Sequence, residues 1–295
     1  MPSNEPANPN ATVDLAWVRA HLDDPNVVFV HIGAETTLEV GGRTEGGRAE
    51  YEAAHLPRAV WAHGYDDFTV TREGIRALVP FRPEMEASLG RLGIDETKTV
   101  VCVASGKSRW PYRAYWVLRY YRFPNVHVAD RSVAALAREG IPTTTDEAAR
   151  PAVTCHLGEP DASVISMWQE VLAIAQGDDA ARILDCRTDD EFVGNPGAHP
   201  APRFGRIPRA AHLNWELLMD DDGRFLSLDQ MRSLYAAAGI DGSKPVFPYC
   251  GGGIRSAASW FAMYELLGWQ NARNYDGSWA EWAVRTELPI ETGTP

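Results

Sequence analysis

The sequence predicts an α/β protein built as two tandem copies of one domain type, each a mainly parallel sheet flanked by helices. Three observations carry this. Short apolar runs of strand length alternate with amphipathic helical segments, the pattern of a parallel sheet covered on both faces. A length of 295 residues gives room for two ordinary domains. The chain also repeats itself: displaced by 146 residues, Gly93-Ile-Asp95 falls on Gly239-Ile-Asp241, Lys98 on Lys244, Val100 on Val246, Arg109 on Arg255, Asn125 on Asn271, Asp130 on Asp276 and Ser132 on Ser278, without a gap. At shifted offsets, Val30-His-Ile-Gly33 pairs with Leu184-Asp-Cys-Arg187, and His55-Leu-Pro-Arg-Ala59 with Arg206-Ile-Pro-Arg-Ala210.

Taken in order, residues 1–12 are polar and rich in Pro and Asn, and are expected to form a disordered tail. The first copy spans 13–140. Residues 141–161, punctuated by prolines and without clean periodicity, read as the connection, and 162–295 as the second copy. Within the second copy, Arg182-Ile-Leu-Asp-Cys186 reads as a strand, Ala211-His-Leu-Asn214 as a short strand and Ser227 to Ala238 as a helix. Lys244-Pro-Val-Phe-Pro-Tyr-Cys250 then forms a buried strand, and Ser256 to Leu267 the helix after it.

Between that strand and helix lies the tight loop Gly251-Gly252-Gly253-Ile254-Arg255. Consecutive glycines let backbone N–H groups turn towards one atom, and the helix start adds partial positive charge there. Such surroundings favour thiolate over thiol, so Cys250 is the candidate nucleophile, with Gly251 to Ser256 as its cradle. Ligands of parallel sheets bind beyond the carboxyl ends of the strands, where Cys250 and Arg187 both fall. In the repeat register Cys250 stands opposite Ala104, so the first copy has the scaffold without the nucleophile.

Composition narrows the function. A formal charge of −12 with no basic cluster argues against nucleic acid as a partner. No apolar run approaches a membrane span, and the N-terminal stretch lacks the features of a signal peptide, so a cytoplasmic protein is expected. Cys102, Cys155, Cys186 and Cys250 are far apart and no histidines pair on a helix face, so neither metal site nor disulfide framework is expected. Cys102 and Cys186 lie in strand-like runs and read as core; Cys155, in the connection, is expected to be exposed.

Together these residues resemble the rhodanese family of sulfurtransferases in its two-domain form. Ala272-Arg-Asn-Tyr-Asp-Gly-Ser-Trp-Ala-Glu-Trp282 is similar to the family's C-terminal signature. Glu52-Ala-Ala-His-Leu-Pro-Arg-Ala59 is similar to its N-terminal signature around His-Ile-Pro-Gly-Ala, with Leu56 and Arg58 as departures. The resemblance implies an inactive first domain, a catalytic second one and no cofactor. Cys250 would take the outer sulfur of a small-molecule donor as a persulfide and pass it to cyanide or to a thiol such as glutathione or thioredoxin. It implies that Arg187 binds the donor's anionic group, that Asp185 supports the loop and that His55 lies near the domain interface.

Loop identity in the family tracks the donor. Users of thiosulfate tend to carry Cys-Arg-Lys-Gly-Val-Thr, and users of mercaptopyruvate Cys-Gly-Ser-Gly-Val-Thr. The sequence Cys250-Gly-Gly-Gly-Ile-Arg255 is nearer the second, which points to 3-mercaptopyruvate as the better donor, with Arg255 as a cation at the far end. A second family arginine falls at Glu191, for which Arg203 or Arg206 would have to compensate. Rhodanese-fold phosphatases and arsenate reductases have five residues between Cys and Arg, against four here. A persulfide carrier serving a protein partner stays open.

Overall fold

A computed structural model describes residues 5–40, 43–198 and 200–294, of which 36–40 and 43–46 are described by backbone alone. The first half contains a parallel sheet in the order Thr12–Val13, Val126–Ala129, Thr99–Val103, Val27–Gly33, Val60–His63. The second half repeats that order with Ile165–Ser166, Asn274–Tyr275, Val246–Tyr249, Arg182–Asp185 and Ala211–His212. Its two pieces are joined by a single bridge between Val246 and Ala272. These strands are short β-branched or aromatic runs ended by polar turns, and they are buried on both faces, as parallel strands are.

The homologous helices Trp110–Tyr120 and Arg255–Phe261 meet at the seam between the halves. Tyr112 and Tyr115 stand edge-on to Phe261 with centroids 5.2 and 4.8 Å away. One apolar cluster runs from Val30 and Cys102 through Trp116 to Trp260 and Cys250, while each outer face keeps a cluster of its own. The helix after Cys250 is α-helical only to Phe261 and widens into a π turn over Ala262–Leu266. Within that turn, Glu265 receives the Asn8 amide at 2.7 Å and Arg119 at 3.3 Å.

Of the segment expected to form a tail, residues 5–12 are described. The Ala7 and Asn8 N–H groups donate to Leu266 and Glu265 carbonyls at 3.0 and 2.8 Å, which ties the segment to the second half. Cys155 is likewise buried rather than exposed. The connecting segment lies along the first half, through bonds such as Val153 N–H to the Gly90 carbonyl, and carries Cys155 into the core. Both Arg58 and Arg209 adopt φ of 64°, in turns where the family motif has glycine.

Each half also sends a hairpin over the other half's loop. The ribbon Val70–Arg72 with Ile75–Leu78 lies over the Cys250 loop, where the Arg113 guanidinium of the first half donates to the Ala77 and Gly253 carbonyls at 3.1 and 3.3 Å. Conversely, the turn between the bridged pair Met219 and Phe225 covers the loop after Ala104. Lys107 Nζ donates to the Met219 carbonyl at 3.0 Å, and Ser132 N–H to that of Asp222 at 2.9 Å. No helix among the described residues is long and apolar enough to cross a membrane.

Candidate functional site

Cys250 ends its strand in a fully enclosed position, 1% exposed, at the floor of a cavity of about 100 Å³. Burial alone would push its thiol up. The Arg255 charge, the Ser256 hydroxyl and N–H, and the Gly252 N–H more than offset this and hold the thiol below its ordinary value. Cys102 and Cys186, with burial as the leading cause, shift the other way, and Cys155 is pushed up to about 12. Burial therefore raises three of the four thiols, and only at Cys250 do neighbouring groups reverse its effect.

The cradle is narrower than expected. Gly252 and Ser256 face the sulfur, and the Ser256 hydroxyl lies between two acceptors for its one proton, Sγ at 3.5 Å and Asn274 Oδ1 at 2.7 Å. Gly253 N–H turns instead to Ser278 Oγ at 2.9 Å, an oxygen that also accepts Cys250 N–H at 3.1 Å. Ser278 holds φ 49° and donates its own proton to the Tyr275 carbonyl. Glycine is required twice in the loop. A Cβ on Gly252 would lie 2.9 Å from the Ala77 Cβ, and one on Gly253, where φ is 70°, would lie 2.7 Å from the Asp276 carbonyl oxygen. The Asp276 carboxylate in turn pairs with Arg113 at 2.7 Å in a buried contact between the halves.

Arg255 reaches the cavity wall, but both of its terminal nitrogens are engaged by Glu191, at 2.6 and 2.8 Å. Charge at the far end of the loop is thus partly neutralised by the residue that stands where the family has an arginine. Arg187 does not line the cavity. It is 2% exposed, holds Asp185 through Nε and Nη2 at 2.9 and 2.6 Å, and donates to the Gly205 carbonyl at 2.8 Å. Its guanidinium lies 4.7 Å from the Trp279 ring centroid. Asp185 also accepts the Tyr249 hydroxyl, so it braces the residue before Cys250. Arg203 is spent on the backbone carbonyls of Trp282, Ala283, Arg285 and Leu288, and Arg206 on those of Phe192 and Gly293.

His55 is fully buried away from the cavity, stacked on Tyr51 at 3.8 Å, with Nε2 3.1 Å from the Asp146 carbonyl of the connecting segment. The residues that do complete the cavity come from the first half: Tyr65, Arg76, Ala77 and Arg109. Arg109 is the repeat counterpart of Arg255, and its recurrence was a visible sequence signal; Tyr65, Arg76 and Ala77 carried none. The equivalent space beside Ala104 has shrunk to about 20 Å³, with Gly223 in its lining.

A family model described as the Rhodanese-like domain matches residues 167–285. The chain is 32% identical to a "Putative thiosulfate sulfurtransferase" of Haloferax volcanii over 99% of both chains. It is 31% identical to a protein so named in Mycobacterium leprae, over 98% of this chain and 100% of the other. The sulfur carrier protein TtuD of Thermus thermophilus is 29% identical over 97% of this chain and 98% of its own. Among solved structures, the anaerobic ergothioneine biosynthesis enzyme from Chlorobium limicola is similar in fold, with a TM-score of 0.83 at 21% identity over 98% of this chain and 72% of the other. A persulfide form of EanB with ergothioneine gives 0.84 at 21%, over 100% and 73%.

Proposed function

The chain belongs to the rhodanese family in its two-domain form, and from that premise we propose that it is a sulfurtransferase working through a Cys250 persulfide. The observation that carries the reading is the enclosed thiol of Cys250 at the floor of a small cavity, beside the Gly252 and Ser256 N–H groups and the Arg255 charge that hold it below its ordinary value. With thiosulfate, the thiolate attacks the outer sulfur, the new S–S bond forms as the old one breaks, and the bonding pair leaves with sulfite. With 3-mercaptopyruvate, the same attack leaves pyruvate once the thiol proton has moved to carbon. Cyanide then removes the sulfur as thiocyanate, or a thiol removes it as a persulfide, and the Cys250 thiolate returns. N–H groups directed at sulfur stabilise thiolate and persulfide anions alike, and the step uses no cofactor.

Electrospray mass spectrometry after treatment with each donor tests this. A gain of about 32 Da, one sulfur atom, is expected on the wild type and not on Cys250→Ser, which should also lose turnover. A Cys250→Ser protein that still gains a sulfur and turns over normally would refute the assignment. The name of the Thermus relative favours a second reading, a carrier whose persulfide accumulates but is discharged slowly by cyanide or small thiols and quickly by a protein partner. A phosphatase or reductase of oxyanions is disfavoured, because only four residues separate Cys250 from Arg255, a loop one residue shorter than those relatives carry.

A further inference from the structure

Cys186 is a buried thiol that the sulfur-transfer cycle leaves unused, and the sheet sets it beside the one that the cycle uses. The parallel strands Arg182–Asp185 and Val246–Tyr249 run in register as far as the pair Asp185 and Tyr249. One step beyond, the Cys186 N–H still donates to the Tyr249 carbonyl at 2.9 Å, so the next residues to face each other are Cys186 and Cys250. Side chains alternate between the faces of a sheet. Ile183, Phe247 and Tyr249 belong to the outer apolar cluster, whereas Leu184, Cys186, Val246 and Cys250 share the inner one, so both sulfurs stand on one face. Neighbouring strands lie about 4.8 Å apart, and a disulfide joins Cα atoms about 4.4–6.8 Å apart. The helix Arg255–Phe261 covers this face with a serine for each sulfur. The Ser256 hydroxyl lies 3.5 Å from Cys250 Sγ, and Ser259, three positions on, meets the Cys186 thiol. Burial is the leading influence that raises the Cys186 thiol, and neighbouring Cys250 adds to it.

The two sulfurs differ in access. Cys250 lies at the floor of the cavity, whereas Cys186, 0% exposed, takes no part in its lining and is shielded from solutes by the residue it faces. In the first copy the same two positions hold Ile32 and Ala104, the pair after His31 and Val103, so that half has neither thiol. We propose that Cys186 is a resolving cysteine, which closes a reversible Cys186–Cys250 disulfide beneath the cavity when a hydroperoxide oxidises Cys250. The Cys250 thiolate attacks a peroxide oxygen, the O–O bond breaks, and hydroxide leaves with the electron pair, giving a sulfenic acid. The Cys186 sulfur then attacks Cys250 Sγ. The S–S bond forms as the S–O bond breaks, and the departing hydroxide takes the Cys186 proton and leaves as water. The peroxide gains the two electrons that the thiols lose, and a dithiol reductant entering the cavity returns them by attacking Cys250 Sγ. Pairing stops the oxidation short of the irreversible sulfinic acid.

Chemical state at Cys250, rather than turnover, is the readout, so the outcome is separate from that of the sulfurtransferase reading. The full-length protein is treated with hydrogen peroxide, free thiols are blocked, and tryptic peptides are mapped by mass spectrometry before and after dithiothreitol. In the wild type a linked pair of peptides carrying Cys186 and Cys250 is expected, and dithiothreitol should return nearly all of the alkylatable Cys250. In Cys186→Ala and Cys186→Ser the first loss of the Cys250 thiol should keep a rate within a few-fold of wild type. Cys250 should then run on to sulfinic acid, with recovery by dithiothreitol falling several-fold. Cys102→Ala and Cys155→Ala should retain both the link and the recovery. Wild-type Cys250 that passes to sulfinic acid with no link to Cys186 overturns the proposal, and that result requires no variant to fold. Recovery as complete in either Cys186 variant as in the wild type overturns it too.

Discussion

Glu191 grips Arg255 with both carboxylate oxygens, at 2.6 and 2.8 Å, in a pair that is almost wholly buried and sits at the end of the Cys250 loop. The pair has two effects at once. It leaves Arg255 close enough to lower the Cys250 thiol, and it keeps that cation from serving as a ready anion site.

Breaking the pair from one side should therefore be costly. Glu191→Leu alone strands a buried guanidinium and is expected to lose about 3–5 kcal/mol of stability, whereas Glu191→Leu with Arg255→Met should recover most of it. The double variant should nonetheless raise the Cys250 pKa, because the arginine charge is gone. Urea denaturation and pH-dependent alkylation separate the two effects.

In the native protein near neutral pH, a neutral alkylating reagent should modify Cys250 and spare Cys102, Cys155 and Cys186, whose thiols are all shifted upward. The rate should fall as pH drops through a midpoint below the ordinary thiol value. Linkage gives the matching stability effect: the contribution of a depressed thiol is complete above the unfolded pKa of about 8.5 and is lost as pH falls through the folded value. The stability gap between wild type and Cys250→Ser should shift with pH in that window; a flat gap would mean the native thiol is not acidic.

Arg187→Ala is expected to act on folding before chemistry. Removing the guanidinium leaves Asp185 buried beside the Tyr249 hydroxyl, a loss of about 3–5 kcal/mol for an uncompensated buried charge. At temperatures where the variant remains folded, its relative preference between thiosulfate and 3-mercaptopyruvate should stay within a few-fold of wild type. A selective loss of one donor would place Arg187 at the substrate after all.

Gly252→Ala should slow sulfur transfer by forcing two β-carbons to within 2.9 Å across the seam. Ala77 holds φ 65°, a conformation glycine adopts freely, so Ala77→Gly should both relieve strain and make room. Combining the substitutions is expected to restore activity lost in Gly252→Ala, as measured by steady-state turnover in a double-mutant cycle.

At Arg209 the backbone is left-handed and the residue exposed, with Nη1 3.4 Å from the Ile174 carbonyl. Arg209→Gly should stabilise the second half by about 1 kcal/mol, the penalty an L-residue bears there. Thermal unfolding at matched conditions checks the sign.

The repeat, the parallel sheets and the Cys250 loop were legible because each has a local signature: alternating strand and helix runs, an ungapped register, consecutive glycines before a helix. The roles of the charged residues were not, because they depend on partners far away in sequence. Arg187, expected to meet the donor's anionic group, instead folds back onto Asp185 two residues away. Arg255 and Glu191 are separated by 64 positions, and nothing local announces that a displaced family arginine has been exchanged for the partner of a new one. Arg76 and Ala77 lie on a hairpin whose target is in the other half, so no reading of either half alone could bring them to Cys250.

The exchanged hairpins bear on how a duplicated gene can lose one active centre and keep both copies. Once Val70–Leu78 roofs the working thiol, and the Met219–Phe225 turn fills the vacant one, each copy is furniture in the other's room. Deletion of the first copy would strip the roof from the second even though the first carries no cysteine opposite Cys250. The first copy is accordingly constrained at Ala77 and Arg113 by a thiol it does not carry, so a screen of inactivating substitutions should recover positions in both copies around one thiol.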